Sequence, residues 1–316
     1  MNNSIYKLFF CNNIFPVIYL QSELKFKTQP PLNIKMKKYL KYVVILIVGA
    51  LLGILANRNR EYLINAQFIR NHWHGRKAIE NKDTLLNSPK IMVCLAFGQS
   101  NAGNYGLGSY ECKNKNKIFN FYKGKIYQAK EPLLGPDGAG TSVWTRLADM
   151  VIDSGLYTKV LIVPCAIGGT SSQCWVDGDC RKTLDETLKY LQEQKIPLTH
   201  IFWDQGETDN VDKVTKEQYK KNLKAIIKVI RDKQFTAPFF ASVTSYFPYD
   251  NTNPLGIDSD ITGAQTEVID EMDDVKYGPN TDSINLAYYR HEAVHFTEKG
   301  LDKLALEWYK KIKENK

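Results

Sequence analysis

Apolar residues in this chain fall into two arrangements. Short unbroken runs at Ile91–Phe97, Lys159–Pro164, His200–Asp204 and Pro238–Thr244 show no polar alternation, and read as strands buried on both faces. Between them, Val143–Ser154, Arg181–Gln194, Lys213–Lys233 and Ser259–Met272 repeat their apolar residues at helical spacing. A last helix starts near Thr297, whose hydroxyl suits an N-terminus. Ile118–Ala129 reads as a hairpin turning at Lys123-Gly124. Strands alternating with helices predict an α/β fold, a three-layer α/β/α sandwich with a doubly wound, mainly parallel sheet.

Ahead of this pattern the chain changes character. Residues 1–35 are rich in Asn and Lys and show no fold signal, and a second methionine, Met36, is a candidate true start. The stretch from Tyr39 to Ala56 is apolar except for Lys41, at the short end for a membrane span. Lys35, Lys37, Lys38 and Lys41 crowd its N-terminal flank, and Ile54-Leu55-Ala56 is a poor cleavage site. Residues 36–57 are therefore expected to be an uncleaved signal-anchor, one transmembrane helix with the body on the extracytoplasmic side. A cleaved leader and a secreted body is the alternative. Residues 58–88 read as a polar, helical stalk, and 89–316 as the globular domain.

Charge separates the same regions. The net +8 lies entirely in residues 1–60, where nine Lys and Arg face Glu23 alone, and the remainder is balanced. A basic leader on a neutral body argues against nucleic acid as partner. Of the six cysteines, Cys94 and Cys165 sit in apolar runs and read as core residues. Cys112, Cys174 and Cys180 lie in loop-like sequence, leaving one disulfide open in an exported domain. Their spacing makes no metal knuckle, and no metal site is expected at His72 and His74.

Three buried strands end in polar clusters containing Gly, at Gly98-Gln99-Ser100-Asn101, Gly168-Gly169-Thr170-Ser171 and Gln205-Gly206-Glu207. Parallel strands share one carboxyl edge, so the clusters meet where open α/β sheets bind ligands. Ser100 by itself reads more readily as a helix cap than as a nucleophile. Hydrolysis through a serine also needs a base and donors for an oxyanion. Of the five histidines, His295 in the loop before the last helix is the candidate base, with His291 as its weaker neighbour and His200 structural. Glu292 stands three residues earlier, within reach of the His295 Nδ1–H.

G-Q-S-N at 98–101, G-G-T-S at 168–171 with Trp175 beyond, W-D-Q-G-E-T-D at 203–209 and H-F-T-E-K-G at 295–300 together resemble the sialate O-acetylesterase branch of the SGNH (GDSL-like) hydrolases. The resemblance runs in order over roughly residues 90–312. It implies an SGNH-hydrolase, flavodoxin-like sheet, with Ser100 as nucleophile, His295 as base and Glu292 as its acid. The Ser100 and Gly169 N–H groups and the Gln205 side chain would form the oxyanion hole. Asn101, Trp175 and Glu207 are weaker candidates for substrate contact, with Trp175 equally a core residue and Glu207 and Asp209 also readable as loop braces. The family usually has Asp three residues before the His, so Glu292 is a departure, and a Ser–His dyad is the alternative. The Arg290-His291 pair is unusual and a candidate contact for an acidic substrate.

The function this implies is a serine esterase, without cofactor, that removes O-acetyl groups from a sialic acid, a hemicellulose or a surface polysaccharide through an acetyl-enzyme. A non-catalytic carbohydrate-binding protein on the same fold, and an esterase for another acyl group, stand as alternatives. The oligomeric state is not legible.

Overall fold

The computed structural model describes residues 81–250 and 253–316, with a few isolated residues between 42 and 79. The chain divides into two units, 1–64 and 65–316, and the second holds the α/β fold. The expected leader, the signal-anchor at 36–57 apart from Tyr42 and Gly49, and most of the stalk lie outside the described residues. Among the described residues no helix is long and apolar enough to cross a membrane.

The main sheet has seven strands: β1 Ile91–Gly98, β2 Ile118–Tyr122, β3 Lys125–Gln128, β4 Lys159–Pro164, β5 His200–Asp204, β6 Phe239–Val243 and β7 Val275–Asn280. Their spatial order is β3-β2-β4-β1-β5-β6-β7. Every neighbouring pair is parallel except the β2/β3 hairpin, which turns at Lys123 and Gly124, both at positive φ, as the sequence suggests. The order reverses around β1, which pairs with β4 on one side and β5 on the other. That reversal opens the crevice in which the site sits.

Successive side chains of a strand point to opposite faces, and the apolar run of β1 divides accordingly. Val93, Leu95 and Phe97 enter one core, Met92, Cys94 and Ala96 the other. Helices α1 Lys82–Leu86, α2 Trp144–Asp153, α3 Ser172–Asp177, α4 Asp179–Glu193, α5 Glu207–Val211, α6 Lys216–Asp232, α7 Ser259–Glu271 and α8 Glu298–Glu314 complete the domain. Leu184 and Leu188 of α4, Ile226 of α6 and Val268 of α7 close the first core. Leu147 of α2 and Leu304 and Trp308 of α8 close the second. The layers are helix, sheet and helix.

Some boundaries differ from expectation for local reasons. Thr215 accepts a hydrogen bond from the Gln218 N–H, so α6 starts at Lys216 and not at Lys213. Strand β7 has no apolar run and contains Gly278 and Pro279; as an edge strand it tolerates the missing N–H. A second, two-stranded ribbon, β8 Arg290–His291 with β9 His295–Phe296, is too short to leave a periodic signal. Ala78 bridges Tyr127 and Leu85 is buried in the core, so the chain reaches the sheet edge ahead of residue 89.

Candidate active site

At the end of β1 the chain must pass close to β5. Gly98 has φ +135°, and a Cβ there would lie 2.1 Å from the Asp204 carbonyl oxygen, so only glycine fits. The Gln99 N–H then donates to that same oxygen at 3.0 Å. Ser100 opens a short 3-10 turn, Ser100–Ala102, whose N-cap position is held by Gln99 and not by Ser100. Ser100 lines a cavity of about 230 Å³, together with Tyr105, Gly169, Glu207, Phe247 and His295.

His295 reaches this cavity from the β8/β9 ribbon. The tight connection between them puts Glu292 at φ +46° and Ala293 at φ +53°, a left-handed path for two non-glycine residues. Several bonds hold it. The Tyr249 hydroxyl donates to the Glu292 carbonyl at 2.8 Å, and Arg290 donates to the Val294 carbonyl at 2.6 Å. The turn brings the Glu292 carboxylate to 3.1 Å from His295 Nδ1. A carboxylate there selects the tautomer protonated at Nδ1 and leaves Nε2 as the basic nitrogen. The imidazole also stacks on Tyr105, with centroids 5.1 Å apart. Burial holds His295 below its ordinary value, partly offset by Glu292, so it is a neutral base at pH 7.

The loop after β4 brings a backbone N–H, that of Gly169, to the cavity. Asp137 accepts the Gly168 N–H at 2.9 Å and the Tyr105 hydroxyl at 3.0 Å, which fixes the loop under Tyr105. Gly169, next in line, has φ +67° and open space where a Cβ would be. Among the described residues neither its N–H nor that of Ser100 has a protein acceptor. Sequence reasoning missed Tyr105, Asp137 and Tyr249, whose partners lie far away in the chain and leave no local pattern.

Gln205 does not serve as the third donor. It is fully buried, and its amide N–H groups go to Gln99 Oε1, to the Thr170 carbonyl and to Asp209 Oδ2. Trp175 is not a wall of the sugar site. It is buried between Phe97 and Trp203, with its indole N–H given to Thr170. Asn101 and Glu207 line the cavity, but the Asn101 amide is spent on Glu207 Oε1 at 2.6 Å and on the Val294 carbonyl at 3.3 Å. Arg290 is no substrate contact either: it is buried, with its guanidinium on the carbonyls of Thr281, Ile284 and Val294. Asp209 braces loops, accepting from both the N–H and the hydroxyl of Ser172. Cys174 and Cys180 form a disulfide just beyond this loop.

Beneath the cavity lies a buried charged floor of Asp204, Glu207, Asp282 and Arg290. Burial and the neighbouring Glu207 push Asp204 up to about 8, and burial raises Glu207 as well. One guanidinium among three carboxyls cannot balance them all, so a proton is retained. A larger cavity of about 560 Å³, between Gly108–Cys112 and Gln128–Pro132, contains Cys112, but burial raises that thiol to about 12 and no histidine lines it.

The arrangement is a serine, a histidine with a carboxylate at its far nitrogen, and two free backbone donors around one small cavity. Among solved structures, the chain is similar to a protein of Arabidopsis thaliana, at 20% identity and TM-score 0.58 over 72% of this chain and 99% of that one. It is also similar to a carbohydrate acetylesterase from Xanthomonas citri (16% identity, TM-score 0.47, 69% of this chain, 54% of that one). A family 3 carbohydrate esterase of Clostridium thermocellum matches at 14% identity and TM-score 0.43 (72% of this chain, 97% of that one). No curated protein matches the sequence. The family model described as carbohydrate esterase, sialic acid-specific acetylesterase, matches residues 90–312, well over half of the sequence, and the chain belongs to that family.

Proposed function

We propose that the protein is a serine esterase that removes O-acetyl groups from a carbohydrate. The observation that carries this reading is the meeting of Ser100, His295 with Glu292 at its Nδ1, and the free N–H of Gly169 around one cavity. Ser100 Oγ attacks the ester carbonyl carbon while its proton passes to His295 Nε2. The Ser100 and Gly169 N–H groups take the negative oxygen. The proton then leaves with the sugar hydroxyl, and an acetyl-serine remains. Water, deprotonated by His295, attacks the acetyl carbonyl, and acetate departs as Ser100 regains its proton. The volume of about 230 Å³ is below the roughly 300–1,000 Å³ of sites for drug-sized ligands, which favours a short acyl group.

The test is acetate release by the full chain beside Ser100→Ala, on p-nitrophenyl acetate, butyrate and octanoate, an O-acetylated sialic acid and an acetylated xylan. Turnover restricted to acetyl esters, reduced by about 10³-fold or more in the variant, supports the reading. Equal inertness of both proteins, with glycan binding retained, makes the cavity a binding cleft. We also place the domain on the extracytoplasmic side, which the Cys174–Cys180 bond supports, since disulfides persist in oxidising compartments. Labelling of intact cells with a membrane-impermeant lysine reagent tests that placement.

A further inference from the structure

Ser100 and His295 lie almost two hundred residues apart, on separate short segments. The 3-10 turn behind Ser100 is only three residues long, and the loop before His295 follows a left-handed path. The turn is pinned by the Ala102 and Gly103 N–H groups on the Gln99 and Ser100 carbonyls, and the loop by Tyr249 and Arg290, but none of these bonds joins one segment to the other. Direct side-chain connection between them runs through Asn101. One amide hydrogen of Asn101 goes to Glu207 Oε1 at 2.6 Å, in α5, and the other to the carbonyl of Val294 at 3.3 Å, the residue just before the base. The same carbonyl takes Arg290 Nη1 at 2.6 Å. Asn101 is 6% exposed and Glu207 3%, so water does not compete for these bonds.

We propose that Asn101 is a positioning residue, a tie joining the turn that carries Ser100 to the loop that carries His295, with Glu207 as its anchor. The inference deepens the esterase reading of the same cavity and rests on it for its catalytic consequence. Asn is suited to the role because a primary amide has two hydrogens at a fixed angle, one for each partner. Glu207 Oε1 supplies the acceptor that keeps the amide plane from turning. Gln in its place would retain that acceptor, whereas an apolar side chain of similar size would not. Because both amide hydrogens are spent inside the protein, the tie acts on alignment and not on substrate affinity.

The test compares the full-length wild type with Asn101→Ala, Glu207→Met, the double variant and Glu207→Gln. Two readouts are used: steady-state kinetics on an acetyl ester, and amide hydrogen exchange over residues 290–296. Asn101→Ala and Glu207→Met are each expected to lower kcat by about 10- to 100-fold, the cost of misaligned reacting groups. KM should stay within about threefold. The double variant should be no worse than the poorer single, because both break one tie. Glu207→Gln should restore kcat to within about threefold of wild type. Exchange over 290–296 should quicken in Asn101→Ala and not in Glu207→Gln.

Losses that multiply in the double variant, or a change in KM with kcat intact, overturn the tie. So does unchanged exchange in Asn101→Ala. If Glu207→Met fails to fold, Asn101→Ala and the exchange readout still decide. A wild type inert on every ester overturns the esterase reading instead, and the exchange result alone then decides whether the tie exists.

Discussion

Glu292 accepts the His295 Nδ1 proton at 3.1 Å while 72% of its side chain remains in water. The carboxylate beside the candidate base is therefore a solvated one. An exposed ion pair is worth about 0–1 kcal/mol, so Glu292→Gln should lower kcat by less than about tenfold, the remaining orientation coming from the Tyr105 stack. Burial lowers the His295 value and Glu292 raises it. Wild type should thus keep its neutral base below pH 6.5, with the acid limb of kcat/KM lying under that value. Removing Glu292 should move the limb lower still, which a pH profile of both proteins checks.

Gly169 combines a left-handed φ of +67° with an unspent N–H. Ala fits the open space beside it, but the backbone conformation costs about 1–2 kcal/mol for an L residue, and relaxation would turn the N–H away from the cavity. Gly169→Ala should lower kcat by about 10²-fold or more, as loss of an oxyanion donor does, with unfolding in urea shifted only modestly.

The burial of Trp175 reverses what its place in the sequence suggests. Trp175→Ala should cost roughly 3–5 kcal/mol in unfolding free energy. Trp175→Phe should preserve KM for acetylated sugars, since the indole touches Phe97, Trp203 and Thr170 and not the cavity. Denaturant unfolding and steady-state kinetics separate the two effects.

Asp204 in the buried floor titrates together with Glu207, and its value of about 8 is far above the ordinary 3.8. The folded protein then keeps a proton that the unfolded chain releases. This group's contribution to stability is fully present below about pH 4, is lost as pH rises towards 8, and is level beyond. Asp204→Asn should remove that slope and stabilise the protein by roughly 1–4 kcal/mol at pH 8, with little gain at pH 4. Chemical denaturation at the two values checks both the sign and the difference.

Much of this architecture is written locally, and the part that is not has a common cause. The apolar runs of β1, β4 and β5 announce buried parallel strands, and Gly98, Gly168 and Gly206 mark where each turns into the cavity. Ser100 and Gly169 are read from those ends, and His295 from its place before the last helix. Strand β7 escapes notice because its edge position excuses the glycine and proline that disqualify it by composition. Gln205 reads as an oxyanion donor only while its partners are unknown. One of them, Asp209, stands four residues on, a spacing that could have exposed the pairing in advance. The other tethers, Gln99 and the Thr170 carbonyl, come from the turns after β1 and β4, whereas those of Arg290 lie within nine residues of it, on irregular backbone that has no sequence period. A residue's chemistry is visible in sequence; whether a distant partner has already consumed it is not.

The separation of Ser100 and His295 in the chain has a temporal side. Strand β1, which leads into Ser100, is central and pairs with β4 and β5, both made well before the β8/β9 ribbon emerges from the ribosome. Closing the 193-residue separation between Asn101 and Val294 costs loop entropy that local contacts do not repay. A nascent or refolding chain can therefore have its sheet complete and its serine in place while lacking any base beside it. Recovered hydrolysis should lag behind recovered circular dichroism in refolding, making ester turnover a reporter of the last docking event.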